Sequence, residues 1–243
     1  MGIHGTATWV MAHDGATGWR VGEETDGLRN MFTMMNTARL MVGMQGLAGA
    51  TAAQARAAEH AKTGRPGRAV AGPADPILVH PDVRRLLMEQ RAFVEGGRAL
   101  LAWTAMVLDT ATPHADPGVR ARAKGLAALI TPVGKAHLTE EGFRMESLAQ
   151  QVFGGAGYTV DTGVEQLVRD VRITTVYEAT TGVRALDLVG RKLAMAQGAA
   201  VRGFIAEVTH TIDAVSGRPA LAEPVGVPRE AAVADLQAAL GFS

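Results

Sequence analysis

The stretch DGLRNMFTMMNTARLMVGMQGLAGATAAQARAAEHAK, residues 26–62, holds no proline and brings an apolar side chain back every three or four positions. That spacing is the signature of one face of an α-helix, and Asp26 stands at its start as a candidate N-cap. A run of this length goes well beyond an ordinary globular helix. It cannot bury its apolar face alone, so the chain needs further helices in a bundle, or further copies, to cover it. Composition supports the helical reading. Hydrophobic residues make up 47% of the 243 positions but aromatics only 5%, so the core is built from Ala, Leu, Val and Met, mostly strong helix formers.

Two more long helices are expected, from about Pro81 to Thr112 and from near Asp116 to about Phe153. Pro132 is predicted to kink or split the second of these. A short helix follows at VEQLVRDV, and a last long one runs from about Thr181 to Val215. The connections TGRPGRAVAGPADP, TPHADPG and GGAGYTVDTG are rich in Gly and Pro and lack periodicity. The expected fold is therefore mainly α, an antiparallel four-helix bundle. Residues 1–25 have a different texture. GTATWVMAHDGATGWRVGE sets a HDGATG turn between two β-prone runs. A lone hairpin is marginal in water, so this piece reads as a remnant of a sheet, its last strands. Three segments result: 1–25 as β remnant, 26–215 as helical domain, and 216–243 as a Pro-rich linker ending in a weak amphipathic segment.

The 24 basic and 24 acidic residues balance, which gives no footprint for nucleic acid or an anionic membrane. With no cysteine, disulfides and thiolate chemistry are excluded. No apolar run of about 18 residues predicts a membrane span, and the N-terminus lacks the pattern of a signal peptide, so a cytoplasmic protein is expected. The seven histidines show no paired helical spacing, so no metal site is expected.

Several residues can carry chemistry. Glu178, in VYEATTG, is a lone carboxylate among Val176, Tyr177 and Ala179 just before a helix. Held in a partly dry pocket it would become a better base near neutral pH; alternatively it caps or complements the following helix. Gly154 and Gly155 allow a ligand to approach the backbone, or serve as a helix C-cap. Arg169, Asp170 and Arg172 read equally as structural ion pairs. Arg65 and Arg68 can meet a phosphate or simply be solvated. Met31, Met34, Met35, Met41 and Met44 form a stripe that reads as core filling.

The order of these segments is more informative than any one of them. QVFGGAGYTVDTGVEQLVRDVRITTVYEATTGVRALDLVGRKL resembles the C-terminal helical domain of the acyl-CoA dehydrogenases. The shared features are a Gln, a Gly-Gly-x-Gly-Tyr segment, an Arg-Asp run and a Tyr-Glu pair followed by Thr. GIHGTATWVMAHDGATGWRVGE and GLRNMFTMMNTARLMVGMQG resemble the end of that family's middle β-domain and its first C-domain helix. FTMMN, HPDVRRLLM, Thr-Thr-Gly and VGRKL are most similar to a longer bacterial subgroup that includes the 3-methylmercaptopropionyl-CoA dehydrogenases.

This resemblance implies an activity and a set of roles. Glu178 would be the catalytic base that removes the α-proton of an acyl-CoA, while the β-hydrogen leaves as hydride to FAD; a backbone N–H at the base helps hold the thioester carbonyl. Gln151, Gly154 and Gly155 match a segment that touches the FAD of a neighbouring subunit. Thr180, Thr181 and Gly182 match the FAD-contacting stretch after the base, and His80 with Pro81 a flavin-proximal pair. Asn36, Arg39 and Ala179 fall at acyl-CoA positions, and Arg65 is the nearest match to a pyrophosphate contact. Ala179 stands where the family has Gly, which strains the backbone if φ is positive there. An electron-transfer flavoprotein or similar acceptor and a homo-oligomer are implied partners. The family also has domains before residue 2 and a further C-terminal segment, so the chain is expected to be a fragment with weakened FAD affinity. The competing expectation is a non-catalytic helical module that oligomerises or binds a related subunit.

Overall fold

The computed structural model describes residues 1–64 and 75–216, apart from the side chains of Phe32, Thr33, Asn36, Val215 and Ser216. Six α-helices are described: α1 Gly27–Thr63, α2 Pro81–Thr110, α3 Pro117–Phe153, α4 Val164–Val171, α5 Thr181–Asp187 and α6 Ala199–Ser216. Arg65, Arg68 and the segment after residue 216 lie outside the described residues.

Successive long helices run antiparallel. Leu86 and Leu87 of α2 share a core cluster with Ala57 of α1 and with Ala149 and Val152 of α3. Further along, Val94 meets Ala50 and Met145. The split fourth arm descends α3 in the same way: Thr181 Oγ1 donates to Glu140 Oε1 (2.7 Å), and Lys192 Nζ donates to the carbonyl of Ala128 (2.7 Å). The up-down-up-down order expected from four long segments is therefore what forms.

Helices α1 and α3 run parallel and approach closely because both present small residues. A Cβ at Gly46 would collide with the carbonyl of Leu138, and one at Gly142 would lie 2.6 Å from the carbonyl of Gly46. The inner face of α1 is correspondingly small, with Ala50, Ala53, Ala57 and Ala61 fully buried. That leaves no room for the methionine stripe, and Met31, Met34, Met41 and Met44 are exposed. The reading of these methionines as core filling is corrected accordingly.

Three other expectations are revised. Asp26 occupies the N-cap position of α1, but its side chain makes no capping bond and instead pairs with Arg29 at 3.3 Å. Pro132 does not split α3. Proline lacks an N–H for the carbonyl four residues back, which is that of Ala128. Lys192 Nζ fills that vacancy from the fourth arm. The expected single helix 181–215 is broken by a π-turn at Leu188–Lys192 and by left-handed residues Ala196 (φ 50°) and Gln197 (φ 56°).

No strand occurs among the described residues. The β-prone runs of 1–25 remain unpaired and exposed, Trp9 and Trp19 included, because no neighbouring strand is present to take up their backbone groups. Only the very start is anchored: Ile3 N–H donates to Asp170 Oδ1 (2.6 Å). Several ionisable groups are buried in the bundle, Lys135, Glu146, Glu165, Arg184 and Lys192 among them. Glu146, fully enclosed against Gly49, leaves both carboxyl oxygens without a partner. Burial, with a smaller contribution from Asp170, pushes its pKa up to about 9.

Candidate functional site

Glu178 lies between a 3-10 turn, Arg172–Thr175, and α5. Thr174 and Thr175 are buried, and Thr174 Oγ1 bonds back to the carbonyl of Val171 (2.7 Å), which fixes the approach to the loop. Tyr177 is tied across to α1 through a hydrogen bond from its hydroxyl to Gln45. The chain then turns sharply: Glu178 has φ 59° and Ala179 φ 71°, two consecutive non-glycine residues in the left-handed region. L-residues pay roughly 1–2 kcal/mol each there, so outside contacts must hold this turn. Thr180 takes the N-cap position of α5, which puts Glu178 two residues outside the cap and disfavours the capping reading of its carboxylate.

The carboxylate is half-buried, and its Oε2 is enclosed without a hydrogen-bond partner. Its surroundings carry more charge than the apolar pocket expected from the local sequence. Arg184 of α5, itself buried, donates through Nη2 to the carbonyl of Glu178 while its Nε and Nη1 stay unbonded. Burial lowers its pKa to about 10, Arg39 adds to that lowering, and Glu178 opposes it. Arg39 on α1 also has a buried, unpartnered Nε. Lys135 of α3 is buried and donates to the carbonyl of Tyr177 (3.2 Å). Burial first, and then Arg184, bring its pKa down to about 8, against the opposing pull of Glu140 and Glu178.

The expected site residues fall into two groups. Arg39, Glu178, Ala179, Thr180, Thr181 and Gly182 gather at the level of Lys135 to Glu140 on α3. Asn36 lies one helical turn before Arg39 on α1, its side chain outside the description. Thr180 and Gly182 are exposed, and Gly182 has open space about its Cα. The second group sits at the far end of α3. Gln151 is exposed, and Gly154 (φ 60°) is the C-cap of α3, its N–H donating to the Gln151 carbonyl. Nothing lies within 4 Å of a Cβ added at Gly154 or Gly155, so this backbone is a C-cap and also open to a ligand. His80, exposed at the start of α2, is at the same end, because α2 begins beside Val152 and Ala149. Between Glu140 and Gln151 the helix advances roughly 16 Å. One copy of the chain does not bring the two groups together.

Arg169 is engaged with Glu165 Oε1 (2.7 Å) and Gln166 Oε1 (2.6 Å), and Arg172 lies over the ring of Phe143 at 5.3 Å. These two arginines act structurally. Lys135 and Arg184 were not singled out from the sequence. The only signal for Lys135 is a lone cation within the otherwise uncharged stretch GLAALITPVGKAHLT, and only the fold connects it to Tyr177. A separate apolar cavity of about 620 Å³ opens between Trp103 and Met106 of α2, Leu126 of α3 and Phe204 of α6. It includes none of the expected site residues. No helix among the described residues is long and apolar enough to cross a membrane.

Comparison with known proteins gives concordant results. The acyl-CoA dehydrogenase C-terminal domain family matches residues 25–194. The chain is 41% identical over 228 residues to the 3-methylmercaptopropionyl-CoA dehydrogenase of Ruegeria pomeroyi, covering 93% of this chain and 39% of that protein. It is 33% identical to the broad-specificity linear acyl-CoA dehydrogenase FadE5 of Mycobacterium tuberculosis, covering 89% of this chain and 37% of that one. The chain thus spans about two fifths of the length of these relatives. Among solved structures, Caenorhabditis elegans ACDH-11 in complex with C11-CoA superposes with a TM-score of 0.77 at 23% identity, over 90% of this chain and 35% of that one. Butyryl-CoA dehydrogenase from Megasphaera elsdenii gives 0.57 at 24% identity, over 71% of this chain and 40% of that one. At such identities these two structures establish the shared fold.

Proposed function

The chain belongs to the acyl-CoA dehydrogenase family, and from that premise we propose that it serves the FAD-dependent α,β-dehydrogenation of an acyl-CoA thioester, with Glu178 as the base. One observation carries the reading: the Oε2 of Glu178 is enclosed and free of any hydrogen bond, beside the buried Arg184, whose Nε and Nη1 are also unpaired. An unengaged carboxylate oxygen at a half-buried site is available to take a proton, and unpaired guanidinium nitrogens call for an acceptor from a ligand.

In this mechanism Glu178 accepts the α-proton of the acyl chain, and the electron pair of that C–H bond forms the new C=C bond. FAD, when bound, supplies the acceptor for the β-hydrogen, which leaves with its bonding pair as hydride, so a trans-2-enoyl-CoA results. Arg39, with Asn36 one helical turn before it, would serve the acyl-CoA side, and Thr180, Thr181 and Gly182 would hold the cofactor from the start of α5. The fit to FAD rests on open backbone at Gly182, Gly154 and Gly155. Gln151, Gly154 and Gly155, about three helical turns from the base group, would serve the cofactor bound to another copy, and His80 would stand near a flavin. Homo-oligomerisation and an electron-transfer flavoprotein, or an acceptor like it, belong to the same proposal.

A second reading, a helical module that only binds a related subunit, draws support from exposed apolar side chains on α1 and α5, among them Leu28, Met34, Val183 and Leu186. Purifying the chain with added FAD separates the two. The enzyme reading expects a bound-flavin spectrum at saturating FAD and turnover of acyl thioesters with a dye acceptor. It also expects Glu178→Gln to cost at least about 100-fold in kcat. A colourless, stable oligomer supports the module instead.

A further inference from the structure

We propose that Lys135 is a positioning residue for the base: with Arg184 it clamps two successive carbonyls of the turn that carries Glu178, and it loosens that turn when it loses its proton. The inference rests on the reading of Glu178 as the base for its functional meaning, though not for its test.

The geometry is specific. Lys135 Nζ donates to the Tyr177 carbonyl at 3.2 Å, and Arg184 Nη2 donates to the Glu178 carbonyl. These adjacent peptide groups lead into the two left-handed residues, Glu178 and Ala179. A non-glycine pair in that region persists only where its surroundings hold it, and here two cations anchored on different helices, α3 and α5, do so. Charge-assisted hydrogen bonds are about twice as strong as neutral ones, which suits them to the task.

The groups facing Lys135 set when the clamp weakens. Arg184 approaches from α5 and disfavours its charge; Glu140 on its own helix and Glu178 in the loop favour it. Helix α1 passes the Lys135 backbone at Gly43, and its Arg39 bears on Arg184 rather than on Lys135 directly. With burial dominating, the ammonium loses its proton near pH 8 instead of near the ordinary lysine value. Above that pH the amine still donates to the Tyr177 carbonyl, but without charge assistance. The turn is therefore held most firmly below pH 8 and loosens as pH rises through it.

Hydrogen–deuterium exchange of the full chain, followed in peptides covering 173–184 and corrected for the intrinsic rate, tests this without flavin or substrate. From pH 6.5 to 9.5 the wild-type loop should lose about fivefold in protection, centred near pH 8. Lys135→Arg should keep the loop protected across the range, since its guanidinium does not titrate there. Lys135→Met should be about fivefold less protected at pH 7 and show no pH step, with α1 and α2 unchanged. A wild-type loop with no step, or a Lys135→Arg variant that keeps the step at pH 8, overturns the proposal. If Lys135→Met loosens the whole bundle, the Lys135→Arg profile alone decides. A chain that passes this test yet bleaches bound flavin equally in wild type and in Glu178→Gln would refute the catalytic reading and leave the clamp standing.

Discussion

Among single residues, Ala179 and Glu146 are the two at which local cost is most visible. Ala179 is held at φ 71° with a methyl group that this region disfavours. Ala179→Gly should therefore raise Tm by about 2–4 °C, the gain from relieved strain exceeding the entropy that glycine adds to the unfolded chain. Calorimetry at pH 7 checks this. Glu146 bears on pH dependence. Its pKa is raised to about 9 in the fold, so folding takes up a proton at neutral pH, and stability falls as pH climbs from the usual carboxylate range toward 9. Glu146→Gln carries no such requirement. The variant should be more stable than wild type at pH 8, with the advantage shrinking by about 1.4 kcal/mol per pH unit and vanishing near pH 4.5. Denaturation at a series of pH values reads this out, and a constant difference would contradict it.

At the level of the elements, the joint between α3 and the fourth arm is the part that sequence patterns did not disclose. Pro132 reads in the sequence as a breaker because proline removes a hydrogen bond and crowds the preceding turn. The helix continues because Lys192, sixty residues later, supplies a donor to the Ala128 carbonyl. That compensation is invisible to any local window. The two sites are thus energetically coupled. Lys192→Met should cost about 1–3 kcal/mol by leaving the half-buried Ala128 carbonyl unpaired. In a Pro132→Ala background, where the helix recovers its own N–H, the same change should cost measurably less. Equal costs in the two backgrounds would refute the link. By contrast, the starts of α2 and α3 and the whole of α4 were legible, because Pro81, the Asp116–Pro117 pair and the strongly periodic VEQLVRDV carry local signals. The split of the last arm was not, since nothing in RKLAMAQGAA forbids helix, yet Ala196 and Gln197 take left-handed conformations.

For the molecule as a whole, an antiparallel bundle followed from run lengths and breakers, and family membership followed from the order of motifs more than from any one of them. What the sequence could not convey was orientation. Met31, Met34, Met41 and Met44 of α1 are exposed and Met35 is half-buried, while Gly46 and Gly142 draw α1 against α3 and leave only alanine-sized space between them. Likewise, Gln151 and Glu178, close in the motif string, end up at different levels of the bundle. The proposed chemistry needs a second copy, or a longer chain, to complete each cofactor site, and it places its whole demand for a base on one carboxylate. The most direct test is anaerobic addition of an acyl-CoA to the chain loaded with excess FAD, while the visible flavin band is followed in wild type and in Glu178→Gln. The account predicts bleaching of the band in the wild type and an unbleached, flavin-retaining Glu178→Gln; equal bleaching in both would contradict it.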